Sequence, residues 1–500
     1  MDQPAHAPAA RLSASGLLDP ALWTGKVFTG RWHAPDAGVL EVREPATGLL
    51  LGTVGASSPE AVAATVLSAG RAQPEWARTP AEERARVMRR AAALFEEHRD
   101  TLIEWVIRET GGVRGKAETE LAGTIGELYH SAALLIEPEG QVLPSAAPGR
   151  MSLARRVPLG LVSVITPWNF PMLLAMRSVA PALALGNAVL LKPDPQTPVT
   201  GGVVLARILA EAGVPEGVFS IVNGGAEVGE ALVTAPDVRL VTFTGSTAVG
   251  RRVGRLAGEH LKKVSLELGG KSPIIVMDDA DIEAASSAGA WGAFLHQGQI
   301  CMASGRHIVH RDVADDYVAA LAERAERLPV GDPFREEVAL GPIINSRQLA
   351  RVDTIVKDTV AAGAKLMAGG TCEGPYYAPT VLSDVARDMP AYDLEVFGPV
   401  APVTVAEDEE HAIFLANDTD YGLSAAVYTS SLDRGLRMAA RIRSGMIHIN
   451  DQTIADLPGI PMGGMGVSGN GSRFGSTTNW DEFTEWQWMT VGSGQTAYPF

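Results

Sequence analysis

Cysteine is scarce: the 500 residues hold two, Cys301 and Cys372. Two thiols cannot build a disulfide framework and are too few for a structural zinc site, so a reduced protein without metal is expected. Uninterrupted apolar runs are also missing. The most hydrophobic stretch, "LGLVSVITPWNFPMLLAMRSVAPALALGNAVLLKP", is broken by Pro167, Pro171, Arg177 and Pro181, which argues against a membrane span. Positive charge is in the minority, with 42 Lys and Arg against 58 Asp and Glu and a net charge of −16. With no basic run to override that average, neither nucleic acid nor an anionic membrane is an expected partner. The opening "MDQPAHAPAARLSASGLLDP" lacks the basic start and apolar core of a signal peptide, so a cytoplasmic location is expected. Internal repeats and low-complexity tracts are absent as well. These absences leave small molecules as the expected partners.

What is present is enough chain for two or three lobes, with 46% apolar and 20% charged residues, ordinary values for a folded protein. Residues 59–136 repeat apolar positions at three and four, a helical period. From Leu161 the period changes. The β-rich runs "LVSVITP", "NAVLLKP", "VFSIVNG", "VRLVTFTG" and "KKVSLELGG" alternate with helical stretches, which specifies a parallel, doubly wound α/β sheet of nucleotide-binding type. A second α/β series follows Gly270, through "SPIIVMDD", "SGRHIVH", "APVTVAEDEEHAIFLAN" and "GMIHIND". The crevice between the two lobes is the expected site. Residues 138–157 and the aromatic tail "NWDEFTEWQWMTV" fit neither lobe, and a neighbouring subunit is a natural cover for them.

Several short stretches could carry chemistry, each with a bland alternative. Cys301 in "HQGQICMASG" is either a buried apolar thiol or a nucleophile, and Gly298, Ser304 and Gly305 around it permit close backbone approach. His296 in the same loop is more simply a structural histidine than the base of a cysteine–histidine dyad. Glu267 ends an apolar strand in "VSLELGGKSP", as a general base or as a solvated strand end. "TGSTAVG", from Thr244, opens a helix and suits a pyrophosphate, or is a plain strand-to-helix turn. Asn169 in "TPWNFP" could donate to an oxyanion or simply form a turn. Lys192 could bond ribose hydroxyls or reach solvent.

Taken together, "PWNFP", "LLKP", "FTGSTAVG", "LELGGKSP", "GQIC", "EVFGPV" and "PMGGMGVSG" stand in the order and spacing of the NAD(P)-dependent aldehyde dehydrogenase superfamily, which the chain resembles over about residues 19–491. The resemblance implies a Rossmann-like cofactor domain (1–137 and 158–266), an α/β catalytic domain (267–455), and an oligomerisation hairpin with a C-terminal segment (138–157 and 456–500). It implies that Cys301 is the nucleophile, Glu267 the base, and Asn169 with the Cys301 backbone N–H the oxyanion hole. For the cofactor it implies Gly245 and Ser246 at the pyrophosphate, Lys192 at the adenosine ribose, and Glu395 and Phe397 at the nicotinamide end. Ile165, Thr166, Pro167, Trp168, Gly225, Gly229, Phe243, Val249 and Leu268 line the rest. A homodimer or homotetramer is implied too. Glu267 favours water over coenzyme A as acyl acceptor.

NAD is the expected cofactor, with NADP left open because Pro195 stands where NAD-preferring members carry a glutamate, although Asp194 could substitute. Subfamily wording in "GQICM", "KPDPQTPVTGG", "HINDQT", "GGMGVSGNGSRFG" and "FTEWQW" is most similar to the benzaldehyde and vanillin dehydrogenase branch. Phe170, Leu174, Leu295, Ile300 and Ile454 could then line a slot for a flat ring. Arg177 is the open point: facing the substrate it would hold a carboxylate, as in semialdehyde dehydrogenases, and facing away it is an ion-pair partner. A cofactor-independent cysteine esterase is the distant alternative.

Overall fold

The computed structural model describes residues 16–494 and 500. The first fifteen residues of the expected cofactor domain and residues 495–499 of the expected C-terminal segment lie outside the described residues. The helical period before the first lobe resolves into Pro59–Arg78, Ala81–Glu97, Arg99–Thr110 and Arg114–Leu134. Ser58 caps the first of these by accepting from the Ala61 N–H, and Gly111, at φ 71°, ends the third in the left-handed conformation that glycine adopts at least cost.

All five expected strands pair in parallel, in the spatial order Lys263–Glu267, Val238–Thr244, Leu161–Ile165, Ala188–Lys192, Phe219–Ile221. Helices cover both faces, which is why Ala188–Lys192 is buried at every residue and reads as a continuous apolar run rather than an alternating one. Register brings Ile165 opposite Lys192 and Phe243, and Thr244 opposite Glu267, so these residues share one carboxyl edge. The chain leaves Leu161–Ile165 toward one side of the sheet and returns on the other at Val238–Thr244. Between those two strands the succeeding segments diverge and leave a crevice.

The second lobe is a seven-stranded sheet in the order Lys365–Ala368, Thr380–Ser383, Val400–Ala406, Ser304–His310, Ser272–Val276, Ser424–Tyr428, Met446–Ile449, parallel except for its first pair. Two glycines after Glu267 join the sheets. A Cβ on Gly269 would lie 2.3 Å from Glu395 Oε2, and one on Gly270 would lie 2.3 Å from the Cys301 carbonyl oxygen. The backbone carrying Cys301, just before the Ser304–His310 strand, is therefore pressed against the end of the first sheet.

The two unplaced segments pair with each other inside one chain. Arg150–Pro158 is the centre of a three-stranded antiparallel sheet, flanked by Gly140–Leu143 and Thr484–Gly492, with Thr484 opposite Pro158 and Gly492 opposite Arg150. The expected boundary at residue 456 needs correction. Phe474, Trp480 and Phe483 are buried in the core of the first lobe, and Asn187 Nδ2 donates to the Phe483 carbonyl at 3.0 Å, so only Thr484–Gly492 joins the hairpin. Aromatic residues that read as one tail are divided between a core and an exposed sheet face, because the chain leaves the core at Phe483 and the strand that follows is almost entirely exposed.

The junction yields a test. Gly270→Ala is expected to leave the circular dichroism unchanged and to lower activity that depends on Cys301 by about a hundredfold, the usual cost of an ångström of misplacement. An unchanged rate would show that the Cys301 backbone can move aside freely.

Candidate active site

Two cavities meet at Cys301. One, of about 250 Å³, is lined by Pro167, Trp168, Asn169, Thr244, Gly245, Ser246, Glu267, Leu268, Gly269, Gln348, Arg351, Glu395 and Phe397. The other, of about 470 Å³, is lined by Phe170, Arg177, Leu295, Ile300, Met302, Ile454, Asp456 and Leu457 among others. Asn169, Leu174 and Cys301 belong to both walls. The thiol thus stands at the passage between a polar crevice on the sheet edge and a largely apolar pocket of ordinary ligand size.

The first cavity sits where the sheet topology opens. Ser246 is the N-cap of the helix Thr247–Glu259 but its side chain makes no capping bond, so the helix's first N–H groups face the crevice. Close packing explains the glycines: a Cβ on Gly245 would meet the Phe243 ring at 2.6 Å, and one on Gly250 would meet Leu268 at 2.3 Å. Ile165, Thr166, Lys192, Gly225, Gly229, Phe243 and Val249 do not line this cavity. They lie beyond it, on the strand ends and on the starts of the following helices. Lys192 is buried, its Nζ 3.5 Å from the Pro193 carbonyl, and burial lowers its pKa against the opposing pull of Asp194 and Glu227. Gly229 leaves room beside the Lys192 stem, and Val249 is exposed on its helix. Asp194 Oδ1 accepts from the Gln196 backbone N–H at 2.9 Å.

At the other end of the crevice Trp168 meets Phe397 edge to face at 5.5 Å, and Phe397 holds a left-handed φ of 55°. Arg351 fixes this loop by donating to the carbonyls of Glu395 and Val396 at 2.7 and 2.8 Å. The Glu395 side chain accepts from the Gly270 N–H at 3.1 Å, while burial raises its pKa to about 7. Gln348 and Arg351 were not legible as site residues. They project from an amphipathic helix, Ser346–Ala361, that carries no local motif.

The Cys301 loop is held in an unusual backbone path. His296, Gln297 and Gly298 follow one another with φ of 49°, 56° and 66°, and a Cβ on Gly298 would fall 2.1 Å from the Gly398 carbonyl oxygen. Glutamine side chains support the path: Gln297 Nε2 donates to the Gly111 and Pro342 carbonyls at 2.9 and 2.8 Å, and Gln299 Oε1 accepts from the Ile344 N–H at 3.0 Å. Asn169 Nδ2 donates to the Gln299 carbonyl at 2.9 Å, which spends one amide hydrogen and leaves the other for the cavity. His296 is buried edge-on to Phe170, lines neither cavity, and is held well below its usual pKa by burial and by Lys116. It is a structural residue, not the partner of Cys301.

Burial pushes the Cys301 thiol up to about 12, helped by Glu395, Glu267 and Asp456 and opposed by Arg177. Glu267 is buried, and burial raises it to about 8 despite Arg177, Arg473 and a backbone hydrogen bond from Gly464. Both groups are largely protonated at neutral pH in this state.

Arg177 answers the question its sequence position leaves open. It lines the second cavity, yet its Nη2 donates to Asp456 Oδ2, its Nε lies 3.4 Å from Glu127 Oε1, and its Nη1 lies 3.3 Å from the Met462 sulfur. It thus faces the cavity, as one of the two open alternatives had it, while its charge is paired with the protein's own carboxylates, as the other had it.

Among the described residues no group of His, Cys, Asp and Glu could hold a metal ion, and no helix is long and apolar enough to cross a membrane. Comparison with known proteins gives a consistent result. The model of the aldehyde dehydrogenase family matches residues 32–489. A vanillin dehydrogenase of Amycolatopsis is 53% identical over 97% of this chain and 100% of its own length. A benzaldehyde dehydrogenase (NAD(+)) of Pseudomonas putida is 50% identical over 96% of this chain and 98% of its own. The crystal structure of an NAD-dependent benzaldehyde dehydrogenase from Corynebacterium glutamicum superimposes with a TM-score of 0.86 at 42% identity, covering 96% of this chain and 98% of that one. A thiol between a sheet-edge crevice and an apolar pocket, in a chain matched over nearly its whole length, leads to one conclusion: the protein belongs to the aldehyde dehydrogenase family.

Proposed function

We infer that the protein oxidises aromatic aldehydes to carboxylic acids with NAD, as a cytoplasmic enzyme. One observation carries the reading: Cys301 joins a crevice fit for a dinucleotide to an apolar cavity of about 470 Å³ whose cations are already paired. Lys116 is bound to Glu120 at 2.5 Å and lies over the Phe170 ring, and Arg177 is bound to Asp456. Such a cavity favours a ring over a carboxylate chain, which argues against a semialdehyde. The names of the relatives support the same class, and one of them is named for NAD. The fit to a dinucleotide rests on the uncapped helix start at Ser246, the buried Lys192, and the exposed Val249 face. Asp194, beside Lys192, puts negative charge where a 2′-phosphate would be unwelcome.

The geometry supports the following roles. A thiol near pKa 12 is scarcely ionised at neutral pH, so its proton must leave as the sulfur bonds to the aldehyde carbon. Glu267, at about 8, is a base of suitable strength in the same crevice. The free Asn169 amide hydrogen and the Cys301 N–H stabilise the oxyanion of the thiohemiacetal, and losing one such donor typically costs about 10²–10³ in rate. Glu395 and Phe397 would hold the nicotinamide end of a bound nucleotide, which would supply the hydride acceptor. Once it has released the thiol's proton to solvent, Glu267 deprotonates the water that hydrolyses the thioester on Cys301. Residues 1–137 and 158–266 serve the cofactor, with Asn169 reaching into the chemistry, and 267–455 form the catalytic domain. A homodimer or homotetramer would cover Trp486 and Trp488, which stand exposed on the three-stranded sheet.

Initial rates with benzaldehyde, vanillin, succinic semialdehyde and hexanal, each with NAD and NADP, test this reading. The aryl aldehydes with NAD are expected to give the highest kcat/KM, and Cys301→Ala to abolish turnover. A semialdehyde or NADP preference would overturn the corresponding part. A second expectation concerns pH. Because the base form of Glu267 is the active one, the rate of thioester hydrolysis should rise as pH passes through about 8. Glu267→Gln should remove that inflection and accumulate acyl-enzyme after a burst of NADH; a variant with wild-type steady-state rates would remove Glu267 from the mechanism.

A further inference from the structure

The glycine-rich stretch "PMGGMGVSGNGSRFG", Pro461–Gly475, is laid along the free edge of the first sheet. Lys263–Glu267 is the outermost strand there, and the stretch supplies the partners it lacks. The Leu266 N–H donates to Asn470 Oδ1 at 2.9 Å, Asn470 Nδ2 donates to the Val264 carbonyl at 2.7 Å, and the Leu268 N–H donates to the Ser468 carbonyl at 2.9 Å. Glu267 and Gly469 face each other as an antiparallel bridge. Met462 and Phe474 exchange two backbone bonds, of 2.8 and 2.9 Å, which close the stretch into a clasp. Arg473 lies half-buried inside it. Its Nη1 donates to the carbonyls of Ser472 and Gly464 at 2.8 and 3.2 Å, and a Cβ on Gly463 would fall 2.7 Å from that nitrogen. The Gly464 N–H in turn donates to the Glu267 carboxylate.

We propose that Arg473 is a positioning residue for the base: it fixes the Gly464 peptide from which Glu267 accepts, and its charge favours the ionised carboxylate that activates water. The proposal rests on the reading of Glu267 as that base. The Arg473 side chain bonds to carbonyls and, among the described residues, to no carboxylate, so its charge is not matched at short range. Arg177, the other cation acting on Glu267, reaches it from the helix Pro171–Ala184 but is bound to Asp456 and Glu127. Three acids stand on the opposite side of the balance. Glu482, on the short helix Thr478–Phe483, acts on Glu267 directly, the Cys301 thiol does so when ionised, and Glu395 shares the crevice. Burial acts in the same direction as these acids. Arg473 offsets part of that sum from a loop whose close turns need glycine, since a Cβ on Gly464 would meet the Ser468 carbonyl oxygen at 2.5 Å.

The test follows the decay of the acyl-enzyme formed from benzaldehyde and NAD, by rapid mixing between about pH 6 and 10, in the wild type, Arg473→Gln, Arg473→Lys and Glu267→Gln. Arg473→Gln keeps a donor for the Gly464 carbonyl and loses the charge. Without that charge the carboxylate ionises at higher pH, so the inflection should move up from its wild-type position by about one unit, the low end of what a nearby opposite charge does, because Arg473 is half-buried and partly screened. Below the inflection a one-unit move is about a tenfold loss of rate. Arg473→Lys, which restores the charge, should bring the inflection back toward the wild type. A merely structural role would lower the rate in both variants and leave the inflection where it was. That result, with the inflection abolished in Glu267→Gln, would overturn the role of Arg473 and leave Glu267 as the base. A wild-type profile in Glu267→Gln would overturn both. Should Arg473→Gln not fold, Arg473→Met, of similar stem length and without charge, takes its place with the same expected shift.

Discussion

The close approach of two backbones, Gly270 against the Cys301 carbonyl, is the constraint on which the rest of the site depends. The carboxyl edge of one sheet and the amino end of another can share a crevice only where side chains are absent from the contact. Gly269 makes the same concession to Glu395. Once the sheets are joined there, Glu267, Glu395 and Cys301 converge without any of them being near another along the chain. The acidic residues then share a poorly solvated space, and this is the physical source of their raised pKa values and of the raised thiol.

The polar supports of that crevice are spent on geometry. Gln297 and Gln299 hold backbone groups, Asn169 gives one hydrogen to Gln299, and Arg351 braces the Glu395 loop. Each uses a hydrogen bond, buried for the two glutamines and Asn169, to fix a loop in a conformation it would not otherwise keep. The left-handed run from His296 to Gly298 is the clearest case, since two of its three residues are not glycine.

Much of this was legible in the sequence, for identifiable reasons. The five parallel strands were readable because each is a short apolar run bounded by turns, and their carboxyl ends announced Asn169, Lys192, Gly245 and Glu267. The direction of Arg177 was not readable. Its partner Asp456 lies 279 residues away, in a loop whose sequence signals only a turn. Arg351, Gln348 and Lys116 escaped for a related reason: each sits on a helix whose period explains it as surface or core. The aromatic tail misled because Trp480, Phe483, Trp486 and Trp488 read alike in sequence, while burial gives way to exposure just after Phe483.

The high pKa of Cys301 has a further side. Oxidants and alkylating agents attack the thiolate, and a thiol pushed to about 12 presents almost none of it. For the nucleophile proposed above, burial would then keep the sulfur chemically quiet between turnovers. In the proposed mechanism, quiet and reactivity are reconciled by timing: the proton departs only when a carbonyl is there to receive the sulfur.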